Sequence, residues 1–433
     1  MNTNVLIASV GEPWGYVPAT YNVNGVEVIA NFSGSALSRV REASRGLLVY
    51  LNGTSPRDGA QKRLDEISRE LQSSDGEIAT AYVEAVQVLE KVISEGLHDE
   101  DLIRTYFAQP HYSIAAFQEY IKVPWPDGGQ IDLKFILEGQ LSDFIIRSGA
   151  DHVLLDITHG PNFLPVALDS AARWACRIAS AQLGYEITLE VHSVSSVRAW
   201  GGGMPRGSVS RVESVTFRPD SSMRELAWRI LEEEPPSGID PFLSSAAEAS
   251  AAAILFSLPL PMVMLADEAP DWKASSSGWE ASAHALLSGI KRVVKGSGAE
   301  PGHPLSLEET EKIVEGLRSM RIPTHLLAEI ELQKLKHKIM EYLLRERGRG
   351  TVPLEAIFGG YEVGEDPGQV ERNLVAHAGF ERSNVMVDLS NLVTQPKAEK
   401  VKFNYKDWKL IREVLVAFAR GIRVKRDVRA SRE

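Results

Sequence analysis

His152-Val153-Leu154-Leu155-Asp156-Ile157 runs directly into Thr158-His159-Gly160-Pro161-Asn162, and this stretch decides the fold. A continuous apolar run that ends in a polar loop containing Gly and Pro predicts a strand buried on both faces. Leu164 to Leu183 then has helical character. Gly184 predicts the stop, because glycine is free to take the left-handed conformation that ends helices. A buried strand, a short polar loop and a helix form the repeating unit of a parallel sheet.

The same unit recurs on either side. Val5-Leu6-Ile7-Ala8-Ser9-Val10 is an apolar run that ends in Gly11-Glu12-Pro13-Trp14-Gly15-Tyr16, and Gly46-Leu47-Leu48-Val49-Tyr50-Leu51 ends in Asn52-Gly53-Thr54-Ser55-Pro56. Asn24-Gly25 predicts a hairpin turn into the strand Val26 to Ala30. Helices are predicted over 35–45, 60–71, 77–96 and 131–147, and further strands over 185–194 and 212–217. Strands apolar on both faces, alternating with helices, predict a parallel sheet covered on both sides. Ligands of such sheets sit beyond the carboxyl ends of the strands. Here those ends are Ser9-Val10-Gly11, Asn52-Gly53-Thr54-Ser55 and Thr158-His159-Gly160, all small and rich in donors. They suit a ligand with phosphates and polar bases, held by backbone N–H groups, hydroxyls and amides. His159 has two readings at this edge: ligand contact, or a hydrogen bond to neighbouring backbone. No G-x-x-x-x-G-K-[ST] or G-x-G-x-x-G pattern serves as a phosphate loop or dinucleotide fingerprint. Gly201 to Gly207 is a Gly-rich loop between the last strands, either a plain connection or a lid.

From Ser222 the strand signal fades. Helices are predicted over 223–234, 244–256, 279–294, 306–320, 324–347 and 407–419, and 249–266 as a buried helix followed by a turn at Pro259 and Pro261. This is an all-helical second domain, with the boundary near Pro219 to Met223. Inside it, Glu371-Arg372-Asn373-Leu374-Val375-Ala376-His377-Ala378-Gly379-Phe380 carries chemistry. Pro367 near the start and Gly379 at the end predict a short helix over 369–378. Asn373 and His377, four apart, share a face. Arg372 starts roughly 140° away around the axis but has the reach to swing toward the same end. An Arg, an amide and an imidazole can thus converge on one phosphate.

The whole chain narrows the class. At 433 residues it is long enough for two or three domains. Hydrophobic content of 44% and charged content of 24% are those of a globular protein, and no apolar run reaches membrane-spanning length. No basic region precedes the first apolar run, so no signal peptide and a cytoplasmic place are expected. The single Cys176 excludes an intrachain disulfide and a cysteine-based metal cluster. A net charge of -11 argues against a large non-specific nucleic-acid surface. Residues 398–433 nevertheless hold eleven Lys or Arg against five Asp or Glu, a solvated basic tail or an RNA contact.

Together these residues resemble a known family. Asp156-Ile157-Thr158-His159-Gly160-Pro161-Asn162-Phe163-Leu164-Pro165 looks like the strand-end motif of CARF (CRISPR-associated Rossmann fold) sensor domains. Arg372-Asn373 with His377, continuing as Ala378-Gly379-Phe380-Glu381-Arg382, looks like the catalytic motif of HEPN ribonucleases. The ordered pair is similar to the CARF–HEPN ancillary ribonucleases of type III CRISPR systems. The resemblance implies an α/β Rossmann-like sensor over residues 1–220, a parallel sheet with helices on both faces, followed by an all-α HEPN-like domain over 221–433. It implies a metal-independent endoribonuclease for single-stranded RNA, a homodimer or higher even oligomer, activated by cyclic oligoadenylate, most simply the tetramer. No cofactor and no metal are expected. By similarity and by the strand-end placement, Gly11, Pro13, Trp14, Asn52, Thr54, Thr158, His159, Gly160 and Asn162 fall in the ligand loops. Arg372, Asn373 and His377 carry over as the active-site residues.

The chemistry agrees. RNA cleaves when its own 2′-OH attacks the adjacent phosphorus, which needs proton transfer and stabilisation of the charge that builds there. His377 suits the first role and Arg372 the second, with Asn373 orienting either. A two-fold dimer would place such groups on both sides of the phosphate. Two other classes stand beside this reading. One is a non-enzymatic regulator in which a nucleotide sensor drives a helical nucleic-acid-binding module; the other is an α/β enzyme for a small substrate, against which the missing cofactor fingerprints count.

Overall fold

The computed structural model describes residues 3–11, 16, 18–51, 57–74, 76–95, 117–123, 133–160, 163–198, 205–275, 277–346, 350–359, 367–390 and 400–430. The chain divides into two compact units. One is Met1–Ala179 with Glu186–Phe217 and Ser276–Gly278; the other is Ser180–Tyr185 with Arg218–Ser275 and Trp279–Glu433.

In chain order the first unit runs β1 (Asn4–Ser9), β2 (Ala19–Val23), β3 (Val26–Ala30), α1 (Ser33–Arg41), β4 (Arg45–Leu51), α2 (Arg57–Leu71), α3 (Gly76–Glu95), β5 (Phe117–Val123), α4 (Leu133–Ser148), β6 (His152–Asp156), α5 (Phe163–Leu183, whose last residues belong to the second unit), β7 (Ile187–Arg198) and β8 (Arg206–Phe217). Among the described residues the strands form one eight-stranded sheet in the order β3-β2-β8-β7-β6-β1-β4-β5. β1 lies parallel between β4 and β6, with Ile7 opposite Leu47 and Leu155. Successive side chains point to opposite faces, and on β1 both sets are fully buried: Leu6 and Ala8 on one face, Val5 and Ile7 on the other. Both faces are therefore covered, which is why these strands are apolar throughout. On the Leu6 face, Leu48, Tyr50 and Leu154 share a core with Ala36 and Leu37 of α1 and Val88 and Leu89 of α3.

The sheet departs from the purely parallel expectation at one end. β2–β3 and β7–β8 are antiparallel pairs, and β2 runs parallel to β8. The β2–β3 turn is the predicted one: Asn24 and Gly25 take φ of 52° and 87°, the mirror-image turn that matches strand twist. β8 begins at Arg206, so Arg206 and Gly207 pair in a strand and do not belong to a Gly-rich loop. Residues 201–204 of that loop lie outside the described residues.

The second unit contains α6 (Pro219–Glu232), α7 (Pro241–Leu255), α8 (Pro259–Glu268), α9 (Gly278–Ser297), β9 (Leu305–Ser306), α10 (Leu307–Ser319), α11 (His325–Glu346), β10 (Thr351–Pro353), α12 (Leu354–Phe358), α13 (Pro367–Ala376), β11 (Val385–Asp388), β12 (Lys402–Tyr405) and α14 (Trp408–Ala430). α6, α7 and α8 each start with Pro at the first turn, where a missing N–H costs nothing. Pro259 thus opens a second buried helix where a turn was expected. α10 has the capping box: the Ser306 hydroxyl accepts the Glu309 N–H at 3.2 Å, and the Glu309 carboxylate accepts the Ser306 N–H at 2.7 Å.

This unit is mainly helical but not all-α. Its short strands form an antiparallel sheet in the order β10-β11-β12-β9. Each strand has two to four residues, too few to register as an alternating pattern. Phe403 and Tyr405 of β12 nonetheless alternate inward with Val385 and Val387 of β11, all buried.

Candidate functional site

In the first unit the sheet has a switch point. From β1 the chain builds outward through β4 to β5, and on the other side of β1 it returns as β6 and β7. The crevice beyond the carboxyl ends of β1 and β6 is where open α/β sheets take ligands. Gly11 and Gly160 meet there: a methyl group on Gly11 would stand 3.5 Å from the Gly160 nitrogen. Gly160 has φ +105°, a conformation that side chains rarely adopt. The Ser9 hydroxyl donates to the His159 carbonyl, which ties the two loops together, and the Gly11 N–H donates to the Tyr16 hydroxyl at 2.8 Å within the first loop.

The predicted ligand residues behave differently from one another at this edge. Asp156 is fully buried. Its carboxylate accepts the Thr158 N–H at 3.0 Å, the Thr158 hydroxyl at 2.5 Å and the Ser33 hydroxyl at 2.5 Å. The Thr158 hydroxyl also accepts the Val194 N–H at 3.1 Å. Thr158 therefore spends both its N–H and its hydroxyl inside the protein, bridging the ends of β6 and β7. His159 packs its ring edge-on against Tyr16, centroids 4.8 Å apart, and tilted against Phe32 at 6.3 Å. Burial pushes its pKa below the ordinary imidazole value, against the opposing pull of Asp156. The ring is thus neutral near pH 7. Its Nε2 is buried without a hydrogen-bond partner among the described residues. Pro13, Trp14, Asn52, Thr54 and Asn162 lie outside the described residues.

Further along the same face, Glu190 draws together two arginines and two histidines. It accepts Arg41 at 2.6 Å, stands 3.1 Å and 3.2 Å from Nε2 of His152 and His192, and 3.4 Å from Arg211. Burial opposes its ionisation, but the bonds from Arg41 and His152 outweigh that and hold its pKa at about 2.

In the second unit, Arg372 and Asn373 lie on α13, and His377 caps its end. The His377 N–H donates to the Asn373 carbonyl at 3.0 Å. Ala378 takes φ 50° and Gly379 φ 85°. The Gly379 N–H reaches back to the Leu374 carbonyl at 2.8 Å, and the Ala378 N–H to that of Val375 at 3.4 Å. This is the Schellman arrangement, with Ala378 in the left-handed position where glycine is usual. The helix therefore ends two residues before the expected limit, and His377 sits on the turn. Arg372 is exposed, while Asn373 and His377 are half-buried.

His377 lines a small cleft with Glu331, Leu335, Leu354, Phe358, Phe380 and Arg382. Its Nδ1 lies 3.0 Å from Oε2 of Glu331, on α11. The other oxygen of Glu331 accepts the Lys334 ammonium at 2.6 Å. Burial raises the Glu331 pKa, but the bonds from Lys334 and His377 win and leave it below the usual carboxylate range. The Arg382 guanidinium stacks 4.3 Å above the Phe358 ring. Glu331, Lys334 and Arg382 were not picked out by sequence. Arg382 was within reach, five residues past His377 in the quoted motif. Glu331 had no such signal, since nothing in a linear pattern links a carboxylate to a histidine 46 positions away. Among the described residues no group of three or more His, Cys, Asp or Glu side chains is placed to hold a metal ion. Among them, too, no helix is long and apolar enough to cross a membrane.

No curated protein matches the chain. A family model described as CRISPR system endoribonuclease Csx1, CARF domain, matches residues 5–196. The matched stretch runs from β1 into β7 and contains both loops of the switch point. The match and the mostly parallel sheet support a CARF-containing, CRISPR-associated ancillary protein whose first unit is a Rossmann-like ligand sensor.

Proposed function

We propose that the chain is an endoribonuclease of CRISPR defence, switched on when its first unit binds a cyclic oligoadenylate and acting on single-stranded RNA through Arg372, Asn373 and His377. The observation that carries this reading is His377, fixed at the end of α13, the helix that also carries Arg372 and Asn373, in a chain whose residues 5–196 match a CARF model. The resemblance of the Arg372 to Arg382 stretch to the HEPN motif is its second support.

The reaction asks little of the protein. The 2′-oxygen attacks phosphorus, the bond from phosphorus to the 5′-oxygen breaks, and a 2′,3′-cyclic phosphate and a 5′-hydroxyl result. A proton leaves the 2′-OH and another reaches the departing oxygen. Histidine exchanges protons near neutral pH, which suits His377 to one of these transfers. Arginine keeps its charge and can hold phosphate in a fork, which suits Arg372 to the charge that builds on the non-bridging oxygens. In a two-fold dimer each chain would supply one His377, and a cyclic tetra-adenylate presents identical halves to identical sensors. For the ligand to act as a switch it must favour one dimer arrangement over another.

The test is RNA cleavage by the full chain across cyclic di- to hexa-adenylate, with EDTA present. Cleavage that depends on one ring size, with products ending in a 2′,3′-cyclic phosphate, is the expected result. RNA binding without cleavage under every ring would favour the non-enzymatic regulator, and a strict need for Mg²⁺ would overturn the mechanism.

A further inference from the structure

His377 does not stand alone in its cleft. Its Nδ1 faces a carboxylate carried by a different helix, 46 residues earlier in the chain. Glu331 is mostly covered, with 13% of its side chain exposed against 26% for His377. It sits in the first third of α11, a 22-residue helix, so its backbone is firmly held. Its second oxygen is engaged by Lys334, one helical turn on, which limits its rotation.

We propose that Glu331 is the positioning residue for His377: its carboxylate takes the Nδ1–H and leaves Nε2 as the nitrogen that exchanges a proton with RNA. An ionised carboxylate only accepts hydrogen bonds, so the ring nitrogen facing it must carry the proton. The two ring nitrogens are distinct, and the bond made by one decides what the other does. With Nδ1 committed to Glu331, Nε2 is an acceptor in the neutral ring and a donor in the charged ring. The same atom can thus serve either proton transfer. Apart from Glu331, the charged groups close to this pair among the described residues are Lys334, bound to the far oxygen of Glu331, and Arg382, stacked on Phe358. Neither can accept a proton from Nδ1, so among the described residues that line the cleft Glu331 is the carboxylate placed for that role.

The inference rests on the ribonuclease reading, and the experiment separates the two. Full-length Glu331→Ala and the near-isosteric Glu331→Gln are assayed with saturating cyclic tetra-adenylate on a single-stranded RNA, alongside His377→Asn. Losing a partner that orients a functional histidine costs about 10- to 100-fold at metal sites and up to about 10⁴-fold in a catalytic triad, so kcat should fall by at least about 10-fold with KM changed less than about twofold. Glu331→Gln should lose as well, because an amide can donate to Nδ1 as readily as accept from it. The direct readout is the imidazole ¹⁵N spectrum of the ligand-free protein, with His377 assigned by its loss in His377→Asn. The neutral ring should be protonated at Nδ1 in the parent and shift toward Nε2 protonation in Glu331→Gln. A parent ring protonated at Nε2 overturns the inference, as does parent kcat in both Glu331 variants while His377→Asn is inactive. Full cleavage by His377→Asn overturns the placement of the active site at His377, and the inference falls with it; absence of cleavage by the parent protein overturns the ribonuclease reading itself.

Discussion

The hydroxyl of Tyr405 donates to the carbonyl of Gly379 at 2.6 Å, so the turn that carries His377 is pinned to β12 of the small antiparallel sheet. Tyr405 is buried, and burial together with nearby Glu381 raises its pKa well above the ordinary phenol value, so this proton stays in place at any working pH. Tyr405→Phe leaves a buried carbonyl without its partner and is expected to cost about 1–2 kcal/mol. Chemical denaturation reads this cost; an unchanged midpoint would mean that the sheet does not support the turn.

The turn itself offers a pair of opposite outcomes. Ala378 holds a left-handed conformation that is unfavourable for any residue with a Cβ. Ala378→Gly is therefore expected to stabilise the protein by about 0.5–1 kcal/mol. Gly379→Ala should do the reverse. Its φ is +85°, and its new methyl would stand 2.8 Å from Cδ of Pro261 in α8, so a loss of about 2–3 kcal/mol is expected. Thermal unfolding of the two variants against the parent ranks them directly.

His377→Ala and Arg372→Ala should each lower activated RNA cleavage by about 10²- to 10⁴-fold, the range for a lost proton-transfer group or charge clamp. Binding of cyclic tetra-adenylate should be unchanged, since neither residue lies in the first unit. The double variant should be little worse than either single one, because groups that act together are not additive. Single-turnover cleavage and ligand titration measure the two quantities separately.

Thr158→Val replaces a hydroxyl that both donates to Asp156 and accepts from the Val194 N–H. The variant leaves Asp156 short of a donor and the Val194 N–H without its acceptor. A stability loss of about 1–3 kcal/mol is expected, with activation shifted to higher ligand concentration and the maximal rate retained. Thr158→Ser keeps the hydroxyl and should recover most of both. If Thr158→Val matches the parent in melting and in ligand titration, these bonds do not shape the loop.

Glu190 gives the acid limb of stability. Its pKa is about 2 in the folded protein and about 4.3 in an unfolded chain, so the folded state binds fewer protons in between. The stabilisation is complete above the unfolded value and is lost as pH falls toward the folded one. The shift corresponds to about 3 kcal/mol. Glu190→Gln should destabilise the first unit by about that much at pH 7, with Arg41 left beside an uncharged partner, and should flatten the decline between about pH 4.3 and 2. Denaturation midpoints measured across that range check the slope.

The sequence by itself determined what local patterns can encode. The unbroken apolar run of β6, its polar loop and the helix behind it announce a sheet buried on both faces, and Val5 to Val10 and Gly46 to Leu51 repeat the message. Asn24-Gly25 specified its hairpin, because few residue pairs tolerate that turn. The Arg372 and His377 segment was legible as a short helix end, since Pro and Gly at its limits act through their own dihedral angles. Tertiary structure alone decided the rest. Strands of two to four residues have no period to detect, so the sheet that holds the His377 turn appeared only once β11 met β12. The antiparallel placement of β8 follows from pairing along the sheet, which the apolar pattern of one strand does not carry. Asp156 was visible as a polar residue at a strand end, but its three donors come from Thr158 and from Ser33, which is 123 positions away. Glu331 reached His377 in the same way, through the packing of one helix beside another, because side-chain contact depends on distance in space and a sequence records only distance along the chain.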